Sequence, residues 1–165
     1  MSDISIQTVR DLGMITLRGD IALLAKAAGM NAPAQRMSVA EDGRRLAWMS
    51  PDELLLTCPH GEVAARIRDL TAALSGQFAT VADVSDARQV FDVKGQGVEE
   101  MLAHLMPVDF ARMAEGEVRR TRMAQIPAAL WREENGWRVV CFRSVAVYAG
   151  ALLRDAADTA ALTGA

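Results

Sequence analysis

Asp83-Val-Ser-Asp-Ala-Arg-Gln-Val-Phe-Asp-Val-Lys-Gly-Gln-Gly-Val-Glu-Glu-Met-Leu-Ala-His-Leu-Met106 decides the fold, because it reads as a strand that turns at once into a helix. Val90, Asp92 and Lys94 alternate with Phe91 and Val93, the period-2 pattern of a strand. Gly95 and Gly97 allow a sharp turn, and Val98, Met101, Leu102 and Leu105 then recur at helical spacing.

The same pattern extends outward in both directions. Residues 4 to 9 alternate as a short edge strand, and Met14 to Arg18 form a second strand ending at Gly19. Asp20 is placed to cap a helix that Gly29 ends near Ala28. After a loop over 30 to 36, Arg45 to Met49 and Glu53 to Cys58 form a hairpin through Ser50-Pro51-Asp52. Gly61 to Leu74 reads as a helix and Phe78 to Val84 as a strand. Beyond the central stretch, Pro107 breaks the chain, Asp109-Phe110 begins a linker, and Glu117 to Gln125 alternates as a half-exposed strand. Pro127 marks a break or an edge. Ala128 to Arg132 and Trp137 to Phe142 form a second hairpin through Asn135-Gly136, and Ser144 caps a last helix to Leu162.

Strand, helix, two strands, helix, strand thus occurs twice. A shift of 83 aligns Trp48 with Trp131 and Cys58 with Cys141, and a shift of 76 aligns Leu17-Arg18-Gly19 with Val93-Lys94-Gly95. The expectation is one domain over 1–165 with two pseudo-repeats, about 13–84 and 88–163. Its class is α+β, with duplicated ferredoxin-like β-α-β-β-α units whose helices cover one face of an antiparallel sheet.

Composition narrows the function classes. A length of 165 residues buries roughly 70% of the unfolded chain's surface. Aromatics are only 5%, so burial falls to Leu, Val, Ala and nine Met, the last either filling gaps or forming a contact surface. A net charge of −3 gives no electrostatic basis for nucleic acid or an anionic membrane. No apolar run is long enough to span a bilayer and the first residues lack a signal-peptide pattern, so a cytoplasmic protein is expected. Cys58 and Cys141 sit in apolar strands without paired spacing and read as reduced core residues.

Chemistry-bearing patterns are sparse. His60 and His104 have no partner at i+4 and flank no nucleophile, and no Gly-x-Ser-x-Gly occurs. Gly95-Gln96-Gly97 begins like a dinucleotide loop, but Glu100 stands where the third glycine belongs. Ser85-Asp86-Ala87-Arg88, a polar cluster between two apolar strands, either binds an anion or partner through Arg88 or fixes its own turn. Trp48 and Trp131 read as matched structural positions on the core or sheet face. Val145 to Leu153 leave the last helix almost no polar face before Arg154. Such a helix is covered by a partner subunit or wedged between the two halves. Ser85, Asp86, Arg88, Arg143 and Tyr148 are therefore the candidate interface or anion contacts, with no catalytic, cofactor or metal residues expected.

Five stretches in order resemble one family: Gly13 to Asp20, Ser50 to Leu56, Asp83 to Arg88, Leu105 to Phe110 and Cys141 to Ser144. Together they are similar to the gamma subunit of heterotetrameric sarcosine oxidase, a family related in fold to the folate-binding domain of aminomethyltransferases. The resemblance implies a bacterial complex that oxidatively demethylates sarcosine to glycine, producing hydrogen peroxide and methylene-tetrahydrofolate. It implies FAD, FMN, NAD and tetrahydrofolate in other subunits and none here. The chain would then be an assembly element packed on the large alpha subunit, and self-associated when isolated. The alternative is a stand-alone folate-binding or one-carbon-transfer protein.

Overall fold

The computed structural model describes residues 4–163. Two five-stranded, wholly antiparallel sheets carry four α-helices among these residues, and the chain divides into two compact units.

The unit over 11–86 contains β2 (Leu12–Arg18), α1 (Ile21–Ala28), β3 (Ser38–Glu41), β4 (Arg44–Ser50), β5 (Glu53–Pro59), α2 (Val63–Ala73) and β6 (Thr80–Asp83). Its sheet order is β3-β4-β5-β2-β6. The carboxylate of Asp20 accepts the Leu23 N–H at 2.9 Å to begin α1, and Gly29, at φ 64°, closes it. Ile15, Leu17, Leu46, Leu54, Leu56 and Cys58 project from the sheet onto Leu24, Val63 and Leu70 of the helices. The strand β3 lies in a region without strong alternation, and only its pairing with β4 defines it.

The second unit joins β7 (Arg88–Lys94), α3 (Val98–Leu105), β8 (Val118–Met123), β9 (Ile126–Glu133), β10 (Gly136–Phe142) and α4 (Ala146–Thr163) to the N-terminal strand β1 (Ser5–Val9). Its order is β1-β7-β10-β9-β8, so β1 fills the place that β6 holds in the other sheet. The Asn135-Gly136 hairpin forms as expected; a Cβ on Gly136 would meet the Val93 carbonyl oxygen at 2.5 Å. Phe110 is no linker residue: it is buried in a short 3-10 turn and packs edge-on against Trp137, ring centroids 4.9 Å apart.

Cross-strand register is the same at matching positions of the two units. Gly13 pairs with Cys58 and Gln89 with Cys141; Leu17 pairs with Leu54 and Val93 with Trp137. These pairs are related by the two offsets read from the sequence. The tryptophans do not match, however. A bulge between Trp48 and Ser50 slips β4 by one residue. Half-buried Trp48 therefore faces its helices, while fully buried Trp131 lies on the sheet face opposite to Leu130 and the helix-side core.

Of the two readings for Pro127, the break fails and the edge fits, and the start of α4 also differs from the sequence reading. Pro127 sits within β9 opposite Arg122, one residue before the β10 ladder starts at Ala128, and the turn falls at Ala124 (φ 50°). Ser144 lies inside a 3-10 turn, Arg143–Val145, and α4 begins only after it, at Ala146.

Candidate functional site

The polar tetrapeptide at 85–88 is divided between the units. Ser85 is buried in the first. Its Oγ accepts the Met14 N–H at 2.9 Å and donates to Asp83 Oδ1 at 2.6 Å, while its own N–H donates to the same oxygen at 2.9 Å. The Ser85 hydroxyl bond is the main cause holding the Asp83 carboxyl below the usual range, and the charge of His60 adds a smaller contribution. Ser85 thus fixes the β2–β6 end of the sheet, and Asp86 occupies the exposed turn that follows. Arg88 begins β7 in the second unit, where its guanidinium lies 5.5 Å from the Phe142 ring centroid, directly across the ladder.

Arg143 leads to a different place. Its backbone N–H donates to Ala87 O at 2.9 Å, and Nη1 donates to Gln89 Oε1 at 2.6 Å. The Gln89 amide nitrogen in turn donates to Val9 O at 3.2 Å and Val90 O at 2.9 Å. A buried glutamine amide with all these bonds is rigid, so the guanidinium it holds is aimed rather than loose. Beside it opens a cavity of about 420 Å³ lined by Thr8, Gln89, Phe91, Arg143, Ala146, Val147, Gly150 and Arg154. Both arginines are exposed, Phe91 is buried beneath, and no carboxylate lines the cavity among the described residues. Helical spacing brings Val147, Gly150 and Arg154 to one face of α4. Tyr148 is half exposed and does not line the cavity.

Sequence reading found Arg143 but missed Thr8, Gln89 and Arg154. The available signal was Gly150 within an otherwise apolar helix, together with a glutamine inside a strand that is buried on both faces.

The remaining candidates are structural. Gly97, at φ 78°, begins α3, and Glu99 and Glu100 occupy the first turn. Two carboxylates at that end repel a pyrophosphate, so these residues do not fit a dinucleotide. His104 Nδ1 lies 2.8 Å from the Glu100 carbonyl oxygen, and no three His, Cys, Asp or Glu side chains converge on a metal position among the described residues. Burial pushes the Cys58 and Cys141 thiols up, and both belong to helix-side cores. No helix among the described residues is long and apolar enough to cross a membrane.

Comparison with solved structures first fixes the fold class. The chain superposes on aminomethyltransferase T of the glycine cleavage system from Bartonella henselae with a TM-score of 0.73 at 12% identity, covering 92% of this chain and 45% of that one. A closer similarity is to heterotetrameric sarcosine oxidase from Corynebacterium sp. U-96, in complex with pyrrole 2-carboxylate. There the TM-score is 0.86 at 28% identity, over 94% of this chain and 84% of that chain. Residues 18–159 match the model of the sarcosine oxidase, gamma subunit family, and the chain belongs to that family. A curated relative, sarcosine oxidase subunit gamma from Arthrobacter sp., is 36% identical over 124 residues, 72% of this chain and 60% of that protein. The chain spans about three fifths of the length of the curated relatives it matches.

Proposed function

We propose that this chain is the gamma subunit of a heterotetrameric sarcosine oxidase and serves as an assembly and stabilising element with no catalytic residues of its own. The observation that carries this reading is the superposition on the heterotetrameric enzyme over 94% of the chain. Side-chain chemistry supports it. Arg18 is engaged with Asp52 and Glu53, and Arg138 with Asp92 and Glu133, so these two strand arginines are taken up within the chain. The thiols are buried and hard to ionise.

In this reading the partner is chiefly the large alpha subunit. The complex carries FAD, FMN, NAD and tetrahydrofolate in other subunits and converts sarcosine to glycine, with hydrogen peroxide and methylene-tetrahydrofolate as further products. Coexpression with the remaining subunits tests it. Expressed alone, the chain is expected to be poorly soluble or self-associated, and with its partners it should co-purify as a stable complex. A monodisperse monomer indifferent to those subunits would overturn the reading. The fold shared with an aminomethyltransferase favours one competitor, direct folate binding by this chain. Saturable quenching of Trp48, Trp131 and Trp137 fluorescence by tetrahydrofolate in the isolated chain would support that competitor.

A further inference from the structure

The helices at equivalent places in the two units differ most on their exposed sides. A 3-10 turn precedes each, and the offset of 83 that relates β5 to β10 sets Val63 of α2 against Ala146 of α4. The exposed positions of α2 hold Ala64, Arg68, Asp69 and Thr71, and an ion pair between Glu62 and Arg66 takes up two charges at its start. In contrast α4 has 18 residues against 11, and it exposes Val147, Tyr148, Ala151, Asp155, Asp158 and Leu162, with Arg154 at the flank. At 3.6 residues per turn these positions share an arc of about 120°. Val147 is 89% and Leu162 88% exposed, at opposite ends of the stripe. Among the described residues the side chains of Arg154, Asp155 and Asp158 make no ion pair, and the two carboxylates stand one turn apart, where like charges repel.

This stripe is complementary to itself. Two copies of α4 can be set antiparallel in the register that brings Val147 onto Leu162 of the second copy. Tyr148 then meets Ala161, Arg154 meets Asp155, and Asp158 lies opposite Ala151, one turn from the same arginine. Each contact occurs twice about a two-fold axis. Apolar ends, a large ring over a small side chain and two arginine–carboxylate pairs thus fall together in one register. In the single chain Arg154 Nη1 lies back along the helix, 3.3 Å from where a Gly150 Cβ would stand, and the exposed side chain can swing outward. We infer that α4 is a self-docking surface through which two copies of this chain pair antiparallel. Such pairing goes beyond the subunit reading and does not depend on it. A second copy fits better than an unrelated partner because the stripe supplies both halves of each charge pair. One helix from each copy makes less than a standard interface, so the dimer is weak and concentration-dependent.

Two differently tagged copies of the full chain are coexpressed, with and without the other subunits, and capture of one tag is scored for the other. Wild-type copies are expected to capture each other. Arg154→Glu in both copies, or Asp155→Arg in both, sets like charges together and should lower capture at least about tenfold. One copy of each variant brings opposite charges together again at both contacts. That mixture should regain most of the wild-type level, which a folding defect cannot imitate. Val147→Asp should also lower capture with an unchanged circular dichroism spectrum, while Phe78→Asp, at an exposed site in the other unit, behaves as wild type. The pairing is overturned if wild-type copies do not capture each other, if the α4 variants leave capture unchanged, or if the mixture does no better than either variant alone. Variants that keep mutual capture and lose only the other subunits would assign α4 to a partner instead. A chain that pairs with itself but never co-purifies with those subunits would sink the subunit reading and leave the self-docking surface standing.

Discussion

Gly13 and Gln89 occupy the same place in two sheets, each opposite a buried cysteine, and they solve the space beneath the second helix in opposite ways. At Gly13 the helix comes down onto the strand: a Cβ there would meet Val63 Cγ2 at 2.2 Å and Cys58 O at 3.3 Å. At Gln89 the side chain is kept, bonded to two carbonyls and to Arg143, and the helix leaves a cavity. The two units therefore share the register of the hydrogen-bonded ladder and differ in the layer between sheet and helix. Backbone pairing tolerates almost any side chain of suitable shape, so register outlasts packing; the helix interface changes whenever one residue gains or loses volume.

The largest effect expected from this comparison concerns the tryptophans. Trp131→Ala should cost about 4 kcal/mol, the range for emptying a fully buried indole site, and also leaves Glu133 without the indole N–H it accepts at 2.8 Å. Trp48→Ala, at a half-buried position, should cost about half as much. Urea denaturation of both variants measures the difference. Equal losses would mean that the two rings are equivalent after all and that the bulge in β4 does not separate their faces.

Next in size is Gly13→Ala, expected to destabilise by about 2 kcal/mol through overpacking against Val63. Adding Val63→Ala installs the residue the other unit uses at Ala146 and should restore part of the loss. A double variant less stable than either single one would show that the clash is not with Val63. Gln89→Ala is expected to cost about 1 kcal/mol, because it removes hydrogen bonds whose net contributions are individually modest. The same substitution removes the Gln89 Oε1 that accepts from Arg143, and urea denaturation measures the total loss.

Much of this architecture was legible in the residues. Asp20 and Gly29 announced both ends of α1, the 83–106 stretch declared β7 and α3, and the two offsets foretold the paired cysteines and the common register. Errors fell where long-range pairing decides local form. Ser38–Glu41 is a strand because β4 lies beside it, Pro127 is tolerated because the β10 ladder starts one residue later, and Phe110 is core because Trp137 reaches it. A one-residue bulge carries no compositional mark, so two tryptophans at a constant offset were read as matched when their faces are opposed. The candidate site was least legible. Its lining comes from β1, β7, the 3-10 turn and α4, and only Arg143 stood within a recognised motif.

The smallest effect is on acid stability. Bonds from Ser85 hold the Asp83 carboxyl below its ordinary value of 3.8, whereas Thr8, its counterpart, cannot ionise. A carboxylate whose folded value lies below its unfolded one stabilises the fold at pH above the unfolded value. That contribution fades as pH falls through the upper 3s and is lost once the folded group is protonated. The group is largely exposed, which keeps the effect small. Asp83→Asn should accordingly lower Tm slightly at pH 7 and leave it unchanged near pH 2, flattening the acid limb of the Tm profile. A parallel downward displacement at every pH would show instead that Asp83 acts through the shape of its turn, and its contrast with Thr8 would then be one of geometry rather than charge.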